Sequence, residues 1–477
     1  MNRSELPESA FIDPYGGNKV AVKKLTEEIL ELVFSHLQKA YTHSPLPELR
    51  QLPFLTSIPN THTPESEILE KLKTVLNTSM NPANPAFIGH MDSIPTTVSI
   101  LGEMVTAALN NNMLSLEMSP LFSRLESLLI KEFTTLFGLG EQAGGVMLSG
   151  GSLTNLQALA VARNVKFDAL ERGLTAQKYP PVLFASEVAH TSIQKAAMLL
   201  GLGASSVIPI KTNINSQMDV SELKRTIENA KQIGLAPFCI VATAGTTTTG
   251  NIDPIQEISQ VARDRNLWLH VDAAYGGALL LSKQHRQKLI GIECADSVTF
   301  NPQKWLYVAK TCAMILFKDF ATLKNAFRIQ APYMRQTDEF INLGEISVQG
   351  TRHAEVLKLW LSLQHIGKNG YAQLIDESYR LTNYFLKQIE KTSFLELASN
   401  PQMNIVCFRG VPSWVPSAEW DTWNARLQTH LLENGKIFLS LPSYRGSCWL
   451  RAVLLNPYIS EETIDNLFGE INNYAST

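Results

Sequence analysis

Cysteine is scarce in this chain and poorly spaced for structural work. Five occur in 477 residues: Cys239, Cys294, Cys312, Cys407 and Cys448. The number is odd and no pair has zinc-ligand spacing. That excludes a disulfide framework and a structural metal site and points to a reducing compartment, the cytoplasm by default. Long apolar runs are also missing. No stretch approaches the ~20 residues that a membrane span requires, and Met1–Pro7 carries no apolar segment of a secretory signal. Charge of one sign is missing too. With 41 Lys and Arg against 44 Asp and Glu the net charge is -3, which gives no electrostatic reason to bind nucleic acid or an anionic membrane. There is no internal repeat and no low-complexity segment.

What remains is ordinary globular material, 45% hydrophobic and 18% charged, in a chain long enough for two or three domains at ~150 residues each. Three stretches are expected: an N-terminal helical segment over 1–85, a large domain over 86–370 and a small C-terminal α+β domain over 371–477. In the first, Lys19 to Tyr41 reads as an amphipathic helix with Val22, Leu25, Ile29, Leu32 and Val33 on one face. After a proline-rich connector, Thr63-Pro64 supplies a cap and first-turn proline for a second helix through Leu76. These helices either pack on the body of the protein or wrap a second subunit.

The middle of the chain alternates strands and helices. Val182–Ala185, Phe238–Ala242, Leu267–Val271 and Ser297–Phe300 read as strands. Leu153–Asn164, Thr191–Leu200, Val220–Ile233 and Pro254–Arg265 read as helices between them. Such alternation predicts an α/β fold with a mostly parallel sheet covered on both faces, and ligands bind beyond the carboxyl ends of such strands. A long helix, His353–Ile366, leads out to another over Tyr371–Lys391, then to two apolar strands around 404–408 and 448–455. A last helix starts at Ser460, with Glu461 and Glu462 at its positive end.

The polar residues just past the strand ends carry the chemistry. Trp268-Leu269-His270-Val271-Asp272 ends on an acid, and Ser297-Val298-Thr299-Phe300-Asn301-Pro302-Gln303-Lys304-Trp305 runs into a turn bearing a lysine. Alone, Asp272 is a helix cap and Lys304 a surface charge. Together they are what pyridoxal phosphate requires: an amine to hold its aldehyde as a Schiff base, and an acid to keep its ring nitrogen protonated. Ser149-Gly150-Gly151-Ser152 opens a helix whose free N–H groups suit a phosphate. His190 follows a strand and starts a helix, a place for a ring stacked on a flat cofactor.

These motifs resemble the pyridoxal-phosphate-dependent group II amino acid decarboxylases over most of the chain, from about Asn84 onward. The resemblance implies the fold type I, aspartate aminotransferase-like architecture and pyridoxal 5'-phosphate as cofactor. It matches His190 to the stacking histidine, Asp272 and Ala274 to the pyridine-nitrogen partner and the alanine beneath the ring, and Lys304 to the Schiff-base lysine. Asn301, Gly150, Gly151 and Ser152 match phosphate contacts, and Thr246 a threonine of the cofactor pocket. Tyr333 matches a lid tyrosine that protonates the substrate carbon, which favours simple decarboxylation over oxidative deamination or aldehyde synthesis. Phe87 and His90 fall in the substrate region, and Arg451 matches an arginine facing the substrate's carboxylate. The run Asn110–Glu117 looks more like the glutamate and cysteine sulfinate members than the aromatic ones. The expected substrate is therefore a small acidic amino acid, with an aromatic one as the alternative, and the expected assembly a homodimer. One departure is Gln303, where many relatives carry histidine; glutamine cannot carry a proton at neutral pH.

Overall fold

The computed structural model describes residues 6–48, 54, 56–332, 334 and 340–476. Tyr333, the expected proton donor, lies outside the described residues. A seven-stranded sheet forms the centre, built from β1 Gly144–Leu148, β2 Pro181–Ser186, β3 Val207–Ile210, β4 Ala236–Thr243, β5 Trp268–Asp272, β6 Ser297–Phe300 and β7 Ala313–Phe317. The spatial order is β1-β7-β6-β5-β4-β2-β3. Strands β3, β2, β4, β5 and β6 run parallel, and β7 is antiparallel to β6 and β1. Strand β5 is buried along its whole length, as expected where helices cover both faces of a parallel sheet.

The helices are α1 Lys19–Gln38, α2 Glu65–Thr78, α3 Thr97–Leu109, α4 Pro120–Leu136, α5 Gly151–Phe167, α6 Ala169–Arg172, α7 Ser192–Leu199, α8 Val220–Gln232, α9 Ile255–Asp264, α10 Phe320–Phe327, α11 Val356–Lys391, α12 Trp420–Glu433 and α13 Glu461–Ala475. Helix α5 carries Ala158, Ala160 and Ala162 among its buried residues; such short side chains let its backbone approach the sheet closely. Asp219 caps α8 by accepting the Ser221 and Glu222 N–H groups, and Ser460 caps α13 with Thr463. A second, antiparallel sheet, in the order β12-β9-β8, is made by β8 Leu395–Leu397, β9 Ile405–Gly410 and β12 Leu450–Val453, and β10 Ser443–Tyr444 and β11 Ser447–Cys448 form a hairpin.

Helix α11 is two helices that meet at a non-helical Gly367, as the sequence reading expects, and the φ of 71° there is unfavourable to any residue with a Cβ. Two details differ from the sequence reading. Pro64 occupies the cap position of α2 itself, and no side chain caps that helix. Helix α1 stops at Gln38, short of Tyr41.

Two compact units emerge. One comprises Met1–Ile94, Ala425–Ser440 and Asn456–Thr477; the other comprises Pro95–Asn424 and Leu441–Leu455. They interleave along the chain, whereas the expected domains were consecutive stretches. Both sheets lie in the second unit.

Candidate active site

The residues past the strand ends of the second unit converge on one cleft of about 170 Å³. Asp272 terminates β5, and Asn301 and Lys304 follow β6. The lysine turn is pinned on three sides. The Asn301 N–H donates to the Ala274 carbonyl at 3.2 Å, the Lys304 N–H donates back to the Asn301 carbonyl at 3.0 Å, and the buried Trp305 ring stacks on Tyr275 at 4.9 Å. Thus the aromatic residue after the lysine anchors the turn while Lys304 lines the cleft.

Asp272 is buried, and two donors hold its carboxylate. The Asn155 Nδ2 donates to Oδ2 at 2.9 Å and the Ala274 N–H to Oδ1 at 3.1 Å. Asn155 also binds Ser192 Oγ at 2.9 Å, and Ser192 Oγ lies 2.8 Å from His190 Nδ1. On its other side the Asn155 Oδ1 meets His270 Nε2 at 2.9 Å. Burial lowers the pKa of both histidines, an effect that the negative charge of Asp272 opposes. His190 is exposed to the cleft and His270 is wholly enclosed.

The start of α5 gives the cleft a wall that fits a phosphate. Gly150 is the cap residue of α5 and has a φ of 132°, so no side chain caps the first turn of that helix. A Cβ on Gly151 would sit 2.8 Å from Asn301 Nδ2, so only glycine lets the backbone come this close. Among the described residues Asn301 Oδ1 and Thr243 Oγ1 are buried without a hydrogen-bond partner, and both residues line the cleft, Thr243 next to Asp272 in register. Buried polar atoms are normally satisfied, and a polar ligand here would satisfy them. The unsatisfied polar atoms, the uncapped helix start, and an amine and an acid lining the same cleft fit pyridoxal phosphate.

Of the expected residues, Gly151, Ser152, His190, Asp272, Ala274, Asn301 and Lys304 line this cleft, with Gly150 adjacent. Thr246 is enclosed beneath it; its hydroxyl lies 2.9 Å from Thr249 Oγ1 and accepts the Asn251 N–H at 3.1 Å, and Thr247 lines the cleft instead. Arg451, on β12 and 7% exposed, donates to the Thr247 carbonyl. Phe87 and His90 belong to the other unit, where their rings pack with Phe438 at 5.1 Å each. The Gln303 amide oxygen accepts the Cys312 N–H at 2.5 Å, so this departure from the common histidine is tied to its own loop. Asn155, Ser192, Thr243 and Thr247 were not singled out from sequence. Asn155 alone was within reach, as the polar residue following Gly150-Gly151-Ser152 into the helix.

Comparison with known proteins agrees with this geometry. The family described as pyridoxal-dependent decarboxylase conserved domain matches residues 47–411. Cysteine sulfinic acid decarboxylase of Mus musculus is 33% identical over 95% of this chain and 96% of its own length. Acidic amino acid decarboxylase GADL1 of Homo sapiens is 30% identical over 95% of this chain and 89% of its own. The crystal structure of mouse CSAD matches with a TM-score of 0.90 and 31% identity, covering 96% of this chain and 99% of that one. Oryza sativa TDC with PLP and tryptamine, 21% identical, shares the fold at a TM-score of 0.91 over 98% of this chain and 99% of its own.

Proposed function

The chain belongs to the pyridoxal-dependent decarboxylase family, and from that premise we propose that it removes the α-carboxylate of a small acidic L-amino acid, releasing carbon dioxide and the corresponding amine. The observation that carries the chemistry is the meeting of Lys304, Asp272 and His190 in one cleft whose remaining wall offers buried, unsatisfied polar atoms. The acidic substrate is supported by two relatives, named for cysteine sulfinic acid and for acidic amino acids, that match almost the whole chain. Arg451 adds a permanent cation, held on the carbonyl of a cleft-lining loop residue, and guanidinium pairs strongly with carboxylates.

Bound in the cleft, pyridoxal phosphate supplies a conjugated ring that takes up the electrons left behind when carbon dioxide departs. Lys304 would be the amine that holds its aldehyde carbon. Asp272, its carboxylate fixed by Asn155 and the Ala274 N–H, would keep the ring nitrogen protonated by opposite charge. His190 would cover the ring. The Gly150–Ser152 turn and Asn301 would hold the phosphate, with the positive end of α5 behind them. Tyr333 returns a proton to the substrate carbon. Arg451 charges the substrate's end of the site.

The test is a panel of L-amino acids assayed for carbon dioxide release. Aspartate, glutamate or cysteine sulfinate should be the best substrate. Release from tyrosine or tryptophan with none from these three would overturn the acidic assignment. Lys304→Ala should abolish both turnover and the visible absorbance of the cofactor-loaded protein. Tyr333→Phe should lose amine production, and an unchanged amine yield would remove Tyr333 from the reaction.

A homodimer is part of the same proposal. Leu101, Met104, Val105 and Leu109 on α3 are all exposed, an apolar face that a second copy would cover. Light scattering on the purified protein should give the mass of two chains, and the mass of one chain would refute it.

A further inference from the structure

Beside the cleft lies a chain of buried or cleft-facing polar side chains whose hydrogen-bond partners constrain where its protons sit. It runs from Trp268 through Ser297, His270 and Asn155, then divides to Asp272 and to Ser192 with His190. A carboxylate only accepts hydrogen bonds, so the Asn155 atom 2.9 Å from Asp272 Oδ2 is the amide nitrogen. The amide oxygen then faces His270, whose Nε2 must carry the ring proton. In a neutral ring the His270 Nδ1 is left as an acceptor for the Ser297 hydroxyl at 2.9 Å, and Ser297 Oγ accepts the Trp268 Nε1–H at 2.9 Å. Each atom in this part of the chain has one consistent assignment.

The other branch is decided at His190 Nδ1. Ser192 Oγ accepts the second N–H of Asn155 and keeps its own proton available for His190 Nδ1, 2.8 Å away. Independently, the Ser192 backbone N–H also points at that nitrogen, 3.2 Å away. A proton on Nδ1 would face another N–H. His190 is therefore held as the tautomer bearing its proton on Nε2, which leaves that N–H for the cleft.

We propose that Asn155 is the positioning residue that sets both the orientation of Asp272 and the tautomer of His190, and that His270 holds Asn155 in its one working orientation. One amide thus ties the group that faces the cofactor's ring nitrogen to the group that covers its ring; this rests on the cofactor reading above. The depressed basicity of the enclosed His270, which burial causes, agrees, since it keeps the ring neutral with one proton to place. The charged and titratable groups facing this set are His270 and Asp272 from β5, His190 and Lys195 from the segment after β2, and Lys304 from the turn after β6.

Two measurements test the assignment. The first is the long-range proton–nitrogen spectrum of the cofactor-free protein labelled with 15N-histidine, with His190 and His270 identified by substitution. Wild type should show both rings protonated on Nε2 alone at pH 7.5, and Asn155→Asp should move His190 towards a mixture of tautomers. A proton on His190 Nδ1 in wild type would overturn the proposal. The second is titration of the apo protein with pyridoxal phosphate. Asn155→Asp, nearly isosteric, sets a second carboxylate against Asp272 and should weaken binding at least tenfold at pH 8. The deficit relative to wild type should narrow towards pH 6 as the acid pair takes up a proton, a dependence that mere loss of packing would not produce. His270→Gln keeps a donor where Nε2 stands and should bind within threefold of wild type, whereas His270→Leu should lose at least tenfold. Equal losses for the two His270 variants, or wild-type affinity for Asn155→Asp, would discard the role of Asn155. If wild type takes up no pyridoxal phosphate, the cofactor reading fails, and the nitrogen spectrum still decides the tautomer.

Discussion

Helices α1 and α5 are alike in length and both are visible in the sequence pattern, but they differ in how they meet the rest of the protein. Helix α5 buries nine of its 17 residues, several of them polar, and α1 buries none of its 20. The face Val22, Leu25, Ile29, Leu32 and Val33 is only half-covered, and Val20 is 83% exposed. Helix α2, beside α1, also buries no residue. The difference separates two sources of helical order. Helix α1 rests on its own propensity and amphipathic pattern, and helices of this kind are marginal in water unless something packs on them. Helix α5 is held by the sheet beneath it, and its polar side chains are placed for chemistry because they cannot move.

The comparison can be broken hardest at the buried ion pair of the second unit. Arg352 and Glu126 are 2% and 1% exposed and meet through two hydrogen bonds of 3.0 Å. Arg352→Met leaves a carboxylate buried without its cation and should cost about 3–5 kcal/mol in denaturant unfolding. Adding Glu126→Leu should recover part of that loss, and a silent single variant would show that this region is not the rigid one.

Within α5, Leu159→Ala should cost about 2–5 kcal/mol, because the side chain is fully enclosed and its removal leaves a cavity. Unfolding midpoints under denaturant measure it directly.

The acid limb of stability sharpens the contrast next. Asp253 is enclosed, accepts N–H groups from Met218 and Thr243, and burial raises its pKa to about 6. A carboxyl with a raised folded-state pKa favours the folded protein at low pH, and that contribution is lost as pH climbs from about 4 through 6, by roughly 3 kcal/mol. His270 acts with the opposite sign. Its lowered pKa means that the unfolded chain takes up a proton first, so stability falls as pH drops below about 6.5. The two contributions oppose each other in wild type. Asp253→Asn should therefore lose thermal stability more steeply between pH 6.5 and 4, and His270→Gln less steeply, than wild type. Parallel curves for all three proteins would reject both assignments.

The smallest effect is expected on α1. Val20→Ala should change unfolding by no more than about 0.5 kcal/mol. A larger loss would mean that α1 is packed, as it would be against a second copy of the chain.

The candidate site was legible in part, for a topological reason. Lys304, Asp272 and His190 each come after an apolar run, and parallel strands deliver the residues at their carboxyl ends to one rim. The sequence could not show that Asn155 bonds Asp272, 117 positions away, or His270, 115 away. Nothing local distinguishes that asparagine from one facing solvent. Thr246 and Thr247 illustrate the same limit at short range, since the conformation of the loop after β4 decides which of two adjacent threonines lines the cleft. Gln303 was visible as an unusual residue, but only its bond to the Cys312 N–H explains where its side chain goes.

By itself the sequence determined the α/β class, the family and the candidate amine and acid, because these depend on local runs of apolar residues punctuated by polar turns. The tertiary structure decided which helix is held and which stands exposed, which threonine meets the cleft, and which polar partners surround Asp272 and His190. Those outcomes depend on distances between residues far apart in the chain, and packing fixes such distances only once the sheet has formed.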